Sequence, residues 1–382
     1  MSRRYCAAFA ATGAAILTVA GCDLGAPRTS IDTPAAKVAT GDMDGDGLTD
    51  IVSVGDDTVA VHLADGADGF ATTTDVADDE LGEFDWVQGA LVDADLDGDL
   101  DVVAARRYWR GGTDTFHLYA NDGTGGLTPG AVFGGFELVD DLAVGDTDGD
   151  GVDDLVAVSE TTTVVYPGDG AGGFHPRVSH AGGGGAVELA DVDGDGVDDV
   201  LVGGGGGPVP PNEVAVHLSS VPDWDAAASY PAGPSLTWVT AVRAGDLDGD
   251  GVLDLVVGGP TTTIRTAHVS VLRGVGDGTF GPPVVATEWP RTGAVDLEVA
   301  DIDDDGHADA AVAEDEYGGA QVLFGDGALG FGDAIGLGVT DPGLPGPLTT
   351  DVAVGDVVGD TAIDVVAAGT IVDVFPNALA DG

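Results

Sequence analysis

The stretch Gly41-Asp42-Met43-Asp44-Gly45-Asp46-Gly47-Leu48-Thr49-Asp50 runs straight into Ile51-Val52-Ser53-Val54. Numbered from Asp42, it carries carboxylates at loop positions 1, 3, 5 and 9 (Asp42, Asp44, Asp46 and Asp50) and a glycine, Gly47, at position 6. Alternate side chains of a tight loop converge on one point, and glycine permits the sharp turn because it tolerates positive φ. Hard oxygen ligands at this spacing suit calcium, with the position-7 carbonyl adding a further oxygen. Left bare, each pair of acids at roughly 4 Å repels by about 4 kcal/mol at an effective dielectric of about 20. A closed loop of this kind implies a bound cation.

The stretch recurs, with position 1 at Asp42, Asp93, Asp146, Asp191, Asp246, Asp301 and Asp356, at intervals of 51, 53, 45, 55, 55 and 55 residues. A period near 50 residues is the mark of a repeat architecture. It spans nearly all of the 382 residues and argues for one domain.

Each acidic loop is followed by a short Val-rich run: Ile51–Val54, Val102–Ala105, Leu155–Val158, Val200–Val202, Leu255–Val257, Ala310–Ala313 and Val365–Ala367. These runs are too short for helices and read as strands, which excludes helix-flanked calcium loops. A second strand follows, usually ending in an Asp/Gly-rich turn and an aromatic, as in Asp65–Phe70, Asp169–Phe174, Gly276–Phe280 and Gly325–Phe331. Those are hairpin turns. A less regular outer strand and then a strand leading into the next loop complete four per repeat. The pattern predicts an all-β, seven-bladed β-propeller with four-stranded antiparallel blades. The chain stops near Phe375, before an outer strand for blade seven, and Arg28–Thr33 is the candidate to supply it.

The acidic loop, the apolar strand after it and the Phe-terminated turn resemble FG-GAP or VCBS repeats, as in the propeller head of integrin alpha chains. The resemblance covers Lys37 to the C-terminus. It implies calcium bound by side chains at positions 1, 3, 5 and 9 and by the carbonyl at position 7. Carried onto this sequence, loop one uses Asp42, Asp44, Asp46, Leu48 and Asp50; loop two Asp93, Asp95, Asp97, Asp99 and Asp101; loop three Asp146, Asp148, Asp150, Val152 and Asp154. Loop four uses Asp191, Asp193, Asp195, Val197 and Asp199; loop five Asp246, Asp248, Asp250, Val252 and Asp254; loop six Asp301, Asp303, Asp305, His307 and Asp309. The seventh copy keeps Asp356, Asp360 and Asp364 but has Val358 at position 3 and Thr361 at position 6, so about six Ca2+ sites are expected, with the seventh degenerate.

The formal net charge is −55, from 67 acids against 12 bases. Such a field repels a phosphate backbone and excludes nucleic acid as a partner. Hydrophobic residues make up 43%, enough for a core, so the acidity does not signal disorder. The two cysteines, Cys6 and Cys22, leave the body of the chain without a disulfide. Metal can take over that stabilising role because it binds only the folded state.

Arg3 and Arg4 precede an uncharged apolar run, Tyr5–Ala20, of export-signal length. Val19-Ala20-Gly21-Cys22 resembles a bacterial lipobox. It implies a signal peptide over 1–21, lipidation at Cys22, an anchor and tether over 22–36, and the propeller over 37–382. The expected location is the bacterial cell envelope, periplasmic or outer surface, with the lipid anchor as the membrane contact.

No Gly-x-Ser-x-Gly, His-Glu-x-x-His or P-loop motif is present, so the chain reads as a non-enzyme. The glycine run Gly203–Gly207 precedes Pro208 rather than a helix and reads as a loop. The candidate ligand face is the end opposite the calcium loops, with Arg106-Arg107-Tyr108-Trp109-Arg110 in a loop there and Trp86, Trp238, Trp289 and Tyr317 nearby. Arg and aromatics together favour interface contact. The expected role is a calcium-binding, lipid-anchored binding or adhesion module for a glycan or surface protein. The alternatives are a polysaccharide lyase or hydrolase, or an assembly subunit of an envelope complex.

Overall fold

The computed structural model describes residues 29–31, 35–55, 58–66, 69–77, 84–108, 113–136, 138–205, 209–221, 224, 227–261, 267–289, 294–314, 319–337, 349–359, 361–369 and 371–377. Cys22, Trp109, Arg110, Tyr317 and Asp360 lie outside them, and so do the side chains of Trp86, Tyr108 and Trp289.

The described residues form seven four-stranded antiparallel sheets. Blade one runs from the innermost strand outward as β2 (Lys37–Gly41), β3 (Asp50–Gly55), β4 (Thr58–Ala64) and β5 (Phe70–Ala77). Blade two is β6 (Phe84–Val92), β7 (Asp101–Tyr108), β8 (Asp114–Asn121) and β9 (Leu127–Phe136). Blade three is β10 (Asp141–Gly145), β11 (Asp154–Val158), β12 (Thr162–Tyr166) and β13 (Val178–Ala181). Blade four is β14 (Gly184–Ala190), β15 (Asp199–Gly204), β16 (Glu213–His217) and β17 (Ala228–Pro231). Blade five is β18 (Ala241–Gly245), β19 (Asp254–Pro260), β20 (Ala267–Leu272) and β21 (Val284–Trp289). Blade six is β22 (Ala294–Ala300), β23 (Asp309–Glu314), β24 (Gly319–Gly325) and β25 (Phe331–Leu337). Blade seven is β26 (Thr349–Gly355), β27 (Asp364–Gly369), β28 (Val372–Phe375) and, from the other end of the chain, β1 (Thr29–Ile31).

The candidate stretch Arg28–Thr33 thus supplies the missing outer strand through its residues 29–31. Thr29 pairs with Val374 and Ile31 with Val372. Innermost strands contact their neighbours all the way round, including β26 against β2, so the ring closes.

The second strand of a blade lies between neighbouring blades on both faces, which is why it is a continuous apolar run rather than an alternating one. β3, β11 and β15 are buried along their whole length. The outer strands β13 and β17 are largely exposed and mixed in polarity. Seven hydrophobic clusters result, one at each blade-to-blade interface. Between blades two and three, Phe116, Leu155 and Tyr166 are buried together, with Phe116 and Tyr166 rings 5.4 Å apart edge to face. Each such side chain contributes about 1.5–3 kcal/mol on burial.

Two expectations need correction. Arg106, Arg107 and Tyr108 are the end of β7, not a loop, because β6 is long enough to pair Phe84 with Tyr108. Gly203 and Gly204 close β15 rather than a loop, buried where a Cβ would strike Val239 and Pro210.

Candidate functional site

Every acidic loop joins the innermost strand of its blade to the second, so all of them sit on one end of the propeller. In loop one, Asp42 accepts from Gly45 N at 2.8 Å and Gly47 N at 3.0 Å, Asp44 Oδ1 from Asp46 N at 3.1 Å, and Asp46 Oδ1 from Leu48 N at 2.8 Å. These bonds wind the loop so that its acids face inward. Gly47 has φ of 89°, and the position-6 glycines Gly98, Gly151, Gly196, Gly251 and Gly306 repeat that turn between 82° and 95°.

Position 9 has a second task. Asp50, at the start of β3, accepts from Met43 N at 2.8 Å with Oδ2 and from Ala64 N at 2.8 Å with Oδ1. The pairing recurs at Asp101 with Ala94 and Asn121, Asp199 with Val192 and Ser219, Asp254 with Leu247 and Gly274, and Asp309 with Ile302 and Gly325. These carboxylates are 0–3% exposed. Each one stitches the loop to the end of its own third strand. Burial raises the pKa of Asp50, Asp101, Asp154, Asp199 and Asp254, and pushes Asp309 up to about 7. A bound divalent cation reverses that logic and holds such groups ionised.

Position 2 carries the loop to the neighbouring blade. Met43 O accepts from Gly125 N at 3.1 Å and Asn121 Nδ2 at 2.8 Å, both in blade two. Ala94 O accepts from Gly172 N of blade three at 3.0 Å, and Val192 O from Gly278 N of blade five at 3.1 Å. A closed loop therefore fixes its own blade and the next.

The metal fit is direct. Ligand atoms of Asp42, Asp44 and Asp50 lie within 4.8 Å of one another, as do those of Asp146, Asp148 and Asp154, and of Asp191, Asp193 and Asp199. In loops two and five the groups are Asp93, Asp95 and Asp97, and Asp246, Asp248 and Asp250. Calcium at about 2.3–2.6 Å from each oxygen fits such a span. Asp93 Oδ1, Asp248 Oδ1 and Asp303 Oδ1 are buried with no hydrogen-bond partner, the orphaned acceptors a cation would satisfy. At position 7, the N–H groups of Asp99, Val152, Val197, Val252 and His307 each donate to the position-5 acid of their loop. Loop seven is built without a cradle: Val358 is buried at position 3, and Thr361 holds φ of 74° at position 6.

The opposite end carries a second constellation. Every innermost strand sends a polar or charged residue toward the axis: Lys37, Gln88, Asp141, Glu188, Arg243, Asp296 with Glu298, and Asp351. Lys37 Nζ lies 2.7 Å from Asp351 Oδ1 and 4.0 Å from Asp296 Oδ2. Arg243 Nη2 lies 3.1 Å from Asp296 and 2.9 Å from Glu298, and its Nη1 lies 3.9 Å from Glu188. Burial pushes Glu188 up to about 8. Burial also acts to raise Asp296, but Lys37 and Arg243 outweigh it and hold that group at about 2. The axial cavity measures about 310 Å³. Its mouth, about 320 Å³, opens opposite the acidic loops among Asp140, Glu160, Trp238 and Thr240, with Trp238 52% exposed.

Of the predicted ligand face, Trp238 stands at this mouth. Arg107 is a brace: its Nη2 donates to Val139 O, and its Nε lies 3.6 Å from Asp114, which accepts from Val139 N at 2.8 Å. The axial charges escaped the sequence reading. Their signal was a lone charge inside an apolar strand, as in Val187-Glu188-Leu189 and Val242-Arg243-Ala244.

Fold and loops define the chain as a seven-bladed β-propeller with a repeated acidic loop. Residues 146–202 match the FG-GAP-like repeat family and residues 238–271 the FG-GAP repeat. These two matches, set within seven four-stranded blades, support an FG-GAP, integrin-alpha-like propeller. No curated protein matches it. Among solved structures it resembles an Agrocybe aegerita lectin that recognises non-reducing terminal N-acetylglucosamine, at 20% identity and TM-score 0.55, covering 90% of this chain and 86% of that one. It also resembles BBS1N in complex with ARL6DN. The mercury-soaked crystal gives 11% identity, TM-score 0.58 and coverage of 92% and 96%; the lead-soaked one gives 12%, 0.59, and 94% and 98%. At these identities the likeness is one of fold.

Proposed function

We propose that this chain is an extracytoplasmic binding or adhesion module, anchored through Cys22 and stiffened by calcium in loops one to six, with loop seven empty or weak. Calcium supplies the positive charge that lets each acidic loop close. The chain's own residues do the rest: position 9 ties the loop to its blade, and position 2 ties it to the next.

The ligand face is the end opposite the loops, and its ligand is a glycan or a surface protein. The observation that carries this reading is the axial mouth, where an exposed indole, Trp238, stands over a floor of buried charge. An aromatic platform beside a few fixed polar groups suits a sugar ring or an interface anchor. The test is a glycan and surface-protein binding screen of the chain lacking residues 1–28, which keeps the closing strand β1, with and without chelator. A ligand whose binding survives Trp238→Ala unchanged refutes the placement.

A polysaccharide lyase or hydrolase is the second reading. It is favoured by Glu188 and Asp296, whose environments drive two carboxyls in opposite directions inside one axial cluster. Polysaccharide cleavage abolished by Glu188→Gln supports it, and no cleavage across a polysaccharide panel rejects it.

A further inference from the structure

We infer that Arg273 is a built-in cation for loop five, holding that loop closed without metal and weakening its affinity for calcium. The inference rests on the calcium reading of the loops. Arg273 follows β20, and its Nη2 lies 2.9 Å from Asp248 Oδ2 and 2.7 Å from Asp250 Oδ2, at loop positions 3 and 5. Charge-assisted bonds of this length are the strong kind. Asp248 Oδ1 stays buried and unpartnered, so the site still offers an oxygen to an ion.

Arg273 is peculiar to this blade. The residue after it, Gly274, donates its N–H to the position-9 acid Asp254, and the same bond fixes the register elsewhere: Ala64 to Asp50, Asn121 to Asp101, Gly168 to Asp154, Ser219 to Asp199, Gly325 to Asp309 and Asn377 to Asp364. The residues standing where Arg273 does are Leu63, Ala120, Pro167, Leu218, Phe324 and Pro376, none of them charged. The guanidinium relieves repulsion between two acids that calcium would otherwise have to neutralise. When calcium arrives, the two cations share those acids. Arg273 is 53% exposed, so solvent screens the conflict, and the cost to calcium affinity is about tenfold.

The experiment compares wild type, Arg273→Met and Arg273→Lys by amide hydrogen exchange across a calcium titration that begins in chelator, reading each acidic loop separately. In wild type without calcium, residues 246–254 exchange more slowly than residues 42–50. Arg273→Met abolishes that protection and lowers the calcium midpoint of loop five about tenfold, leaving loop one unchanged. Arg273→Lys restores part of both effects. If the other loops respond to calcium but Arg273→Met leaves loop five as in wild type, the inference falls alone. If no loop responds to calcium, the calcium reading falls and takes the inference with it.

Discussion

Lys37 is the one lysine in the chain, and it lies on the seam where the first blade meets the last. Substituting it by methionine keeps the apolar stem and removes the charge. Asp351 and Asp296, 3% and 5% exposed, then face each other without their shared cation. Breaking a buried ion pair by deleting one partner costs about 3–5 kcal/mol. The lower end applies here, about 3 kcal/mol, because Arg243 still reaches Asp296 at 3.1 Å. The deficit depends on pH. Burial already raises Asp351 above its unfolded pKa, and removing Lys37, which lowers it, raises that folded pKa further. The unfolded chain then binds fewer protons between the two, and the variant loses stability as pH rises through that window. Urea unfolding followed by circular dichroism, in saturating calcium at pH 5 and pH 8, reads both effects. Lys37→Met should be less stable at both values and more so at pH 8. A variant within about 0.5 kcal/mol of wild type at both refutes the idea that this lysine latches the ring.

Further perturbations separate the parts of the account. Asp50→Asn keeps one acceptor oxygen but sets an NH2 donor against the second backbone N–H, and should cost about 2–3 kcal/mol even in chelator. Asp44→Asn should matter only when calcium is present; denaturation of both variants under both conditions checks the contrast. Glu188→Gln removes a buried acid whose pKa of about 8 exceeds its ordinary 4.5. Wild type therefore loses stability as pH rises from 4.5 to 8, and the variant should gain on it across that window by up to a few kcal/mol, read from melting at stepped pH. Thr361→Gly relieves a β-branched residue at φ of 74° and should stabilise the fold by about 1 kcal/mol, measured as a higher urea midpoint.

The architecture was legible because two simple physical signals repeat: an acidic loop that needs glycine at its sixth position, and a valine run that must lie between two blades. Even the closing strand was legible, since blade seven ends at Phe375 with a vacant edge. The Arg106–Tyr108 segment was misplaced because two arginines and a tyrosine after an apolar run look like the loop beyond a strand, whereas the longer β6 extends the pairing past a register shift at Trp86 and Gln88. The axial cluster was hidden for a different reason. A single charge in a strand normally marks a solvent face, and only ring closure turns seven such faces toward one axis. The structural task of position 9 had a sign in the sequence: Asp364 survives in the loop that lost its position-3 acid, where it still accepts from Val357 N at 2.9 Å and Asn377 N at 2.9 Å.

The account stands on cation-closed loops that bind each blade to the next. Thermal unfolding of the purified chain, first saturated with calcium and then stripped with chelator, tests it most directly. Each filled site adds about 2.7 kcal/mol at a hundredfold excess over its Kd, so stripping should lower Tm steeply and re-addition of calcium should restore it. An unchanged Tm after complete metal removal contradicts the account.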